Sequence, residues 1–215
     1  MNGYVGTLIK DELIWLPEKG VGYFPVDNQV VNYDNYYEEW VRRENTSIGK
    51  CLNEFRIELV NSYTNGLILD IGIGCGTFIK KRGNCVGYDI CSKSSYLLQN
   101  SGLFFNPYPE SKLWNKIEGI TFFDSLEHIE CPERLFKNIK SQYLFVIIPI
   151  FEDLSSLLHS KHFKKHEHYF YFTDKGLIGF MEYYGFEMLE RREDEEKCGR
   201  EDIGAYVFKR PKEED

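Results

Sequence analysis

Residues 67–89 read Leu-Ile-Leu-Asp-Ile-Gly-Ile-Gly-Cys-Gly-Thr-Phe-Ile-Lys-Lys-Arg-Gly-Asn-Cys-Val-Gly-Tyr-Asp, and how this stretch is read decides the fold. Leu67 to Ile71 is a short apolar run behind Asn65-Gly66, the pattern of a buried parallel strand. Gly72, Gly74 and Gly76 then alternate ahead of a helix-compatible Thr-Phe-Ile-Lys-Lys. Glycines at alternate positions allow a tight turn and leave no Cβ between the loop and a ligand. Cys85 to Tyr88 reads as a second short strand ending on Asp89. An acid after the second strand of such a unit is placed to accept hydrogen bonds from the ribose of an adenosine cofactor.

A nicotinamide-type loop has Gly-x-Gly-x-x-Gly, but Thr77 stands where its third glycine belongs. The run Asp70-x-Gly72-x-Gly74-x-Gly76 instead resembles motif I of the class I S-adenosylmethionine-dependent methyltransferases. The resemblance implies an α/β fold, a doubly wound, mostly parallel, seven-stranded Rossmann-like sheet with a terminal antiparallel hairpin. It implies S-adenosylmethionine as cofactor, held by Asp70, Gly72, Gly74, Gly76, Asp89, Ile90, Asn106 and Asp124. The family commonly has an acid where this chain has Asn106, a departure at the adenine contact.

Upstream, residues 1–31 are rich in Gly, Val, aromatics and Pro, with candidate strands at 13–17 and 22–26. They read as a cap or substrate cover. Between Tyr33 and Tyr63 the apolar positions Tyr36, Tyr37, Trp40 and Val41, then Leu52, Phe55 and Leu59, recur at helical spacing. Asn45-Thr46 divides them into two helices. In related methyltransferases such helices roof the cofactor, which brings Tyr33, Tyr36 and Tyr37 near it; ordinary packing is the equal alternative.

Downstream, Ser92 to Asn100 reads as a helix and Phe104-Phe105 as a short strand stopped by Asn106-Pro107-Tyr108. Gly119 to Phe123 is a strand ending on Asp124, Glu133 to Ser141 a helix, and Tyr143 to Ile148 a strand closed by Pro149. A polar lid spans 151–172, with Lys161, Lys164 and Lys165 in a basic run. Thr173 can cap a helix reaching Tyr184, with Leu177, Ile178, Phe180 and Met181 on its apolar side. Gly185 to Leu189 and Ala205 to Lys209 are the last strands, and the charged Arg191 to Glu196 between them reads as a solvated connection. Strands alternating with helices fit one doubly wound domain over 1–215, with a cap at 1–31, helices at 32–64 and a core at 65–210.

The 215 residues suffice for one sizeable core. A balance of 26 basic against 34 acidic residues, net −8, argues against binding extended nucleic acid by charge. The cysteines (51, 75, 85, 91, 131, 198) form no Cys-x-x-Cys pair and read as reduced, mostly buried thiols. With no apolar signal core at 1–10 and no run near the ~18 residues a membrane span needs, the expectation is a soluble, cytoplasmic protein. Oligomeric state is not readable.

A second constellation, Asp124-Ser-Leu-Glu127-His128-Ile-Glu-Cys-Pro132, follows the fourth strand. If the chain turns helical there, Asp124 and Glu127 share a face with His128 beside them. Carboxylates and imidazole converging form a divalent-metal ligand set. His166-Glu-His168-Tyr-Phe-Tyr-Phe-Thr173 offers a further ligand. This resembles two metal-dependent branches of the class I methyltransferases. The ubiquinone-pathway catechol O-methyltransferases carry Glu-x-x-Glu-His at this place. The small-RNA 3′-terminal ribose 2′-O-methyltransferases carry the same, plus a distal His before Phe-x-Trp-Thr. The resemblance implies Mg²⁺ or Mn²⁺ on Asp124, Glu127, His128 and His168, with Asp124 in place of the first Glu. The catalytic candidates are therefore His128, Glu127 and Asp124. A metal-free site with His128 as general base is the alternative. The lid histidines His159 and His162 read as solvated. The function expected is O-methylation of a small molecule, nucleotide or RNA end. The rivals are a cofactor-binding protein without transferase activity and an N- or C-methyltransferase of a small metabolite.

Overall fold

The computed structural model describes residues 7–9, 13–25 and 31–211. In chain order these residues form β1 (Thr7–Ile9), β2 (Leu13–Leu16), β3 (Val21–Tyr23), α1 (Tyr37–Glu44), α2 (Ser47–Asn61), β4 (Leu67–Ile71), α3 (Thr77–Arg82), β5 (Cys85–Tyr88) and α4 (Ser92–Asn100). There follow β6 (Ile117–Phe123), α5 (Pro132–Phe136), β7 (Tyr143–Pro149), α6 (Leu154–His159), β8 (Phe170–Phe172), α7 (Asp174–Tyr183), β9 (Glu187–Arg192), α8 (Asp194–Lys197) and β10 (Ile203–Lys209).

The main sheet has the order β5-β4-β6-β7-β10-β9. Its first four strands are parallel, and β10 runs antiparallel between β7 and β9. Alternate residues of each central strand feed opposite faces, as the two-residue period requires. Leu69, Ile71, Ile120, Phe122, Leu144 and Val146 pack with α5 and α7 residues such as Phe136 and Met181. Ile68, Phe123, Phe145 and Ile147 pack on the other face with Phe55, Leu59, Phe78 and Leu98. The doubly wound reading therefore holds.

The sheet has six strands where seven were expected. Phe104 makes only a single parallel bridge to Gly87. Asn106 turns its side chain back to accept from the Tyr108 amide, and Pro107 has no amide to extend a ladder. The helix expected over Glu133 to Ser141 ends at Phe136, and the strand expected at Gly185 is Glu187–Arg192.

A separate four-stranded antiparallel sheet, β1-β2-β3-β8, joins the lead-in to the lid. The strand β8 within the expected lid was not foreseen. The candidate strand at 22–26 ends at Tyr23, and Val26 lies outside the described residues. Thr173 seals the junction: its Oγ1 accepts from the Gly176 amide, and both its amide and its hydroxyl donate to Gly20 O. Gly176 is required there, since a Cβ on it would lie 2.0 Å from Gly20 O.

Two cysteines depart from expectation, because Cys51 of α2 and Cys198 after α8 form a disulfide. The bond spans 147 residues in sequence, where spacing gives no hint of it. Cys75, Cys85, Cys91 and Cys131 are free thiols. Among the described residues no helix is long and apolar enough to cross a membrane.

Thr173→Ala removes the α7 cap and one hydrogen bond to the cap sheet. Chemical denaturation is expected to show a loss of about 1–2 kcal/mol.

Candidate active site

The order of the main sheet reverses at β4, which has β5 on one side and β6 on the other. Ligands of such sheets sit at the carboxyl ends of the strands at this reversal. Asp70, Gly72, Gly74, Asp89, Ile90 and Asp124 all border one cavity of about 1140 Å³ there. Gly72, Gly74 and Gly76 take φ of +83°, +57° and +80°. A Cβ on Gly72 would lie 2.5 Å from Ser125 Cβ, so the loop has room for glycine alone. Gly76 lies at the start of α3 rather than on the cavity.

Asp89 braces this loop, accepting from the Gly74 amide at 3.0 Å and the Cys91 amide at 2.8 Å. Burial pushes its carboxyl up to about 6. Asp70 accepts from Thr121 Oγ1 at 2.6 Å, and burial raises it to about 7. Asn106 departs from expectation: it is exposed, off the cavity, and engaged in its own turn. Tyr33, Tyr36, Trp40 and Arg43 from the N-terminal segment border the cavity, whereas Tyr37 does not and lies beneath Lys93.

Asp124 is not where a helical turn would put it. Its φ is +55° and Ser125 is neither helical nor extended, so the following 3₁₀ turn, Leu126–His128, begins only after a sharp bend. That bend sends the Asp124 carboxylate away from Glu127 and into two guanidiniums. Arg200 grips it with Nη1 at 2.9 Å and Nη2 at 2.8 Å, and Arg56 adds Nη2 at 3.0 Å. Glu195, fully buried, bridges both arginines at 2.8 and 2.6 Å. Burial alone would raise the Asp124 carboxyl, but Arg200 and Arg56 hold it well below the usual carboxylate range. Arg56, Glu195 and Arg200 went unread in the sequence; Glu195 and Arg200 lie in or beside a charged run that looked solvated.

The expected four-ligand set is thereby reduced to three. Glu127, His128 and His168 offer donor atoms within 4.8 Å of one another. Glu127 Oε2 is buried without a hydrogen-bond partner, and burial, then Asp124, raises its carboxyl to about 8. His128 Nδ1 donates to Glu167 O at 2.7 Å. A carbonyl only accepts, so the proton sits on Nδ1 and Nε2 keeps its lone pair. Tyr33 Oη lies 3.3 Å from the same Nδ1. The His168 ring stands edge-on to His128 with centroids 4.6 Å apart. Burial lowers both imidazoles, His168 strongly, so both are neutral near pH 7. His159 is exposed, whereas His162 is half-buried on the cavity wall.

The sequence profile of the methyltransferase domain family matches residues 41–191. The chain belongs to that family. It is an S-adenosylmethionine-dependent methyltransferase of class I. No curated protein matches it significantly in sequence. Among solved structures, a methyltransferase from Thermotoga maritima, a possible histamine N-methyltransferase, is 15% identical with a TM-score of 0.59, covering 83% of this chain and 98% of that one. The methyltransferase domain of bacterial CtHen1-C is 16% identical with a TM-score of 0.53, covering 77% of this chain and all of its own. The 1,6-didemethyltoxoflavin N1-methyltransferase of Burkholderia thailandensis, solved with S-adenosylhomocysteine, is 13% identical with a TM-score of 0.52, covering 94% and 100%. At these identities the likeness is one of fold.

Asp89→Ala removes the acceptor that braces Gly74 and faces the cavity. Calorimetry is expected to show S-adenosylhomocysteine binding weakened about 10- to 100-fold; unchanged binding would contradict the placement of the ribose.

Proposed function

We propose that this methyltransferase acts on a hydroxyl oxygen of a small molecule, nucleotide or RNA end, with a divalent cation assisting. The observation that carries the reading is the buried, unpartnered Glu127 Oε2 beside two neutral imidazoles. A buried polar oxygen without a partner is costly, and a cation that displaces the Glu127 proton would complete it. His128, its Nδ1 tied to a backbone carbonyl, has the outer-shell arrangement usual for metal-ligating histidines. Glu127, His128 and His168 therefore fit a cation, and two nitrogens with one carboxylate suit Mn²⁺ or another transition ion better than Mg²⁺. Such a cation, when bound, supplies Lewis acidity that makes a substrate hydroxyl easier to deprotonate.

The chain's own residues supply the rest. The glycine loop and Asp89 hold the nucleoside end of S-adenosylmethionine, and Asp70 faces the cavity as an acceptor for its ammonium group. Tyr36 and Trp40, with rings nearly parallel at 6.3 Å, wall the cavity. Methyl transfer is an in-line displacement, so positioning the acceptor oxygen provides much of the acceleration. Vicinal hydroxyls are the natural acceptors beside a chelating site, and the net charge of −8 disfavours extended nucleic acid. A second reading rests on His128 Nε2 alone: with no cation it is the general base for a hydroxyl or amine of a small metabolite.

The test is calorimetric titration of S-adenosylhomocysteine-loaded protein with Mn²⁺. One equivalent is expected to bind, and His168→Ala to abolish it while leaving the nucleoside bound. Glu127 must lose its proton to act as a ligand. Mn²⁺ affinity should therefore rise about tenfold per pH unit below pH 8 and level off above it. Absence of saturable binding favours the metal-free base.

A further inference from the structure

The Cys51–Cys198 disulfide secures one wall of the site. Cys51 lies in α2, the helix that carries Arg56. Cys198 closes α8, whose Glu195 is buried against Arg56. Two residues further on, Arg200 reaches the cavity and grips Asp124. α8 has four residues, and a single helical turn has no stability of its own. Gly199, at φ +88°, winds its end, with the Gly199 and Arg200 amides turned back to Glu196 O and Glu195 O. Those bonds fix Arg200 relative to α8 but do nothing to hold α8 on α2. The ion pairs and the covalent bond do that.

We infer that the disulfide is a redox-sensitive tether that tunes ligand binding at the methyltransferase site by keeping Arg200 on Asp124. The inference rests on the reading of the cavity as the cofactor site. A dithiol reductant breaks the Cys51–Cys198 bond by exchange: two electrons and two protons end on the cysteine sulfurs, and the dithiol leaves as its own disulfide. The other four cysteines are already thiols, so the change is confined to this pair. Cys51 is half-buried and Cys198 is 8% exposed, so attack begins at the Cys51 side. Once the tether opens, residues 194–202 regain chain entropy that the ion pairs and the hydrogen bonds to Glu201 O and Asp202 O oppose. Each departure of Arg200 leaves Asp124 with Arg56 and the more distant Arg43 as its counter-charges, beside the rim that receives the ligand.

The test equilibrates the full chain across dithiothreitol redox buffers and follows three signals. They are thiol labelling at Cys51 and Cys198, S-adenosylhomocysteine affinity, and trypsin cleavage after Lys197 and Arg200. Reduction is expected to weaken S-adenosylhomocysteine binding about tenfold, to speed cleavage at both sites, and to reverse on reoxidation. Arg200→Ala in the oxidised protein should show the weaker binding without further change on reduction. Cys51→Ser with Cys198→Ser should be fixed at the reduced values. Equal affinity and cleavage in both redox forms would overturn the proposal, as would free thiols at both positions in air-oxidised protein. Binding in neither form defeats the cofactor reading, and the cleavage rates then decide whether the tether exists.

Discussion

A carboxylate drawn largely out of water needs positive charge within a few ångströms, and the half-buried Asp124 meets that constraint with Arg56 and Arg200. Much of the site's geometry depends on this match. To present its carboxylate to the arginines the chain accepts a left-handed φ at Asp124, which bends it away from the helical path. The bend in turn sets where the 3₁₀ turn starts, and therefore where Glu127 and His128 point. Glu195 closes the cluster by matching the charge that remains on both guanidiniums. Five elements meet here: α2, the β6 end, α8, the loop before β10 and, through Arg43 at 3.8 Å, α1.

Glu127 is the counterpart. Only three residues away, it is more deeply buried than Asp124, yet its Oε2 has no partner and its carboxyl holds its proton to about pH 8. Asp124 is neutralised by arginines, Glu127 by its own proton. Under the proposed function the first is scaffold and the second a ligand. This difference in neutralisation explains why the two, read as equivalent from spacing, take different parts.

Where local pattern decides structure, the sequence was readable. Leu67 to Ile71, the alternating glycines and Asp89 act within one βαβ unit, and their outcome follows from backbone freedom and strand burial. Thr46 and Thr173 cap helices because a side-chain oxygen three residues before a free amide needs no distant partner. Features that depend on remote pairing were not readable. The cap sheet forms because Val21–Tyr23 meets Phe170–Phe172 across nearly 150 residues. Glu195 sits in, and Arg200 just beyond, a charged run that looks solvated until Arg56 and Asp124 are brought to it. Cys51 and Cys198 likewise carry no local mark of their bond. Asn106 was misplaced because its neighbour Pro107 ends the strand that would have aimed it at the cavity.

A crystal structure of the protein with S-adenosylhomocysteine and Mn²⁺, with anomalous difference density collected for manganese, probes the proposed site most directly. A single peak bounded by Glu127, His128 and His168 is expected, with the ribose on Asp89 and Asp124 still gripped by Arg56 and Arg200. A peak coordinated by Asp124, or none with the nucleoside bound, would rule out the proposed metal site.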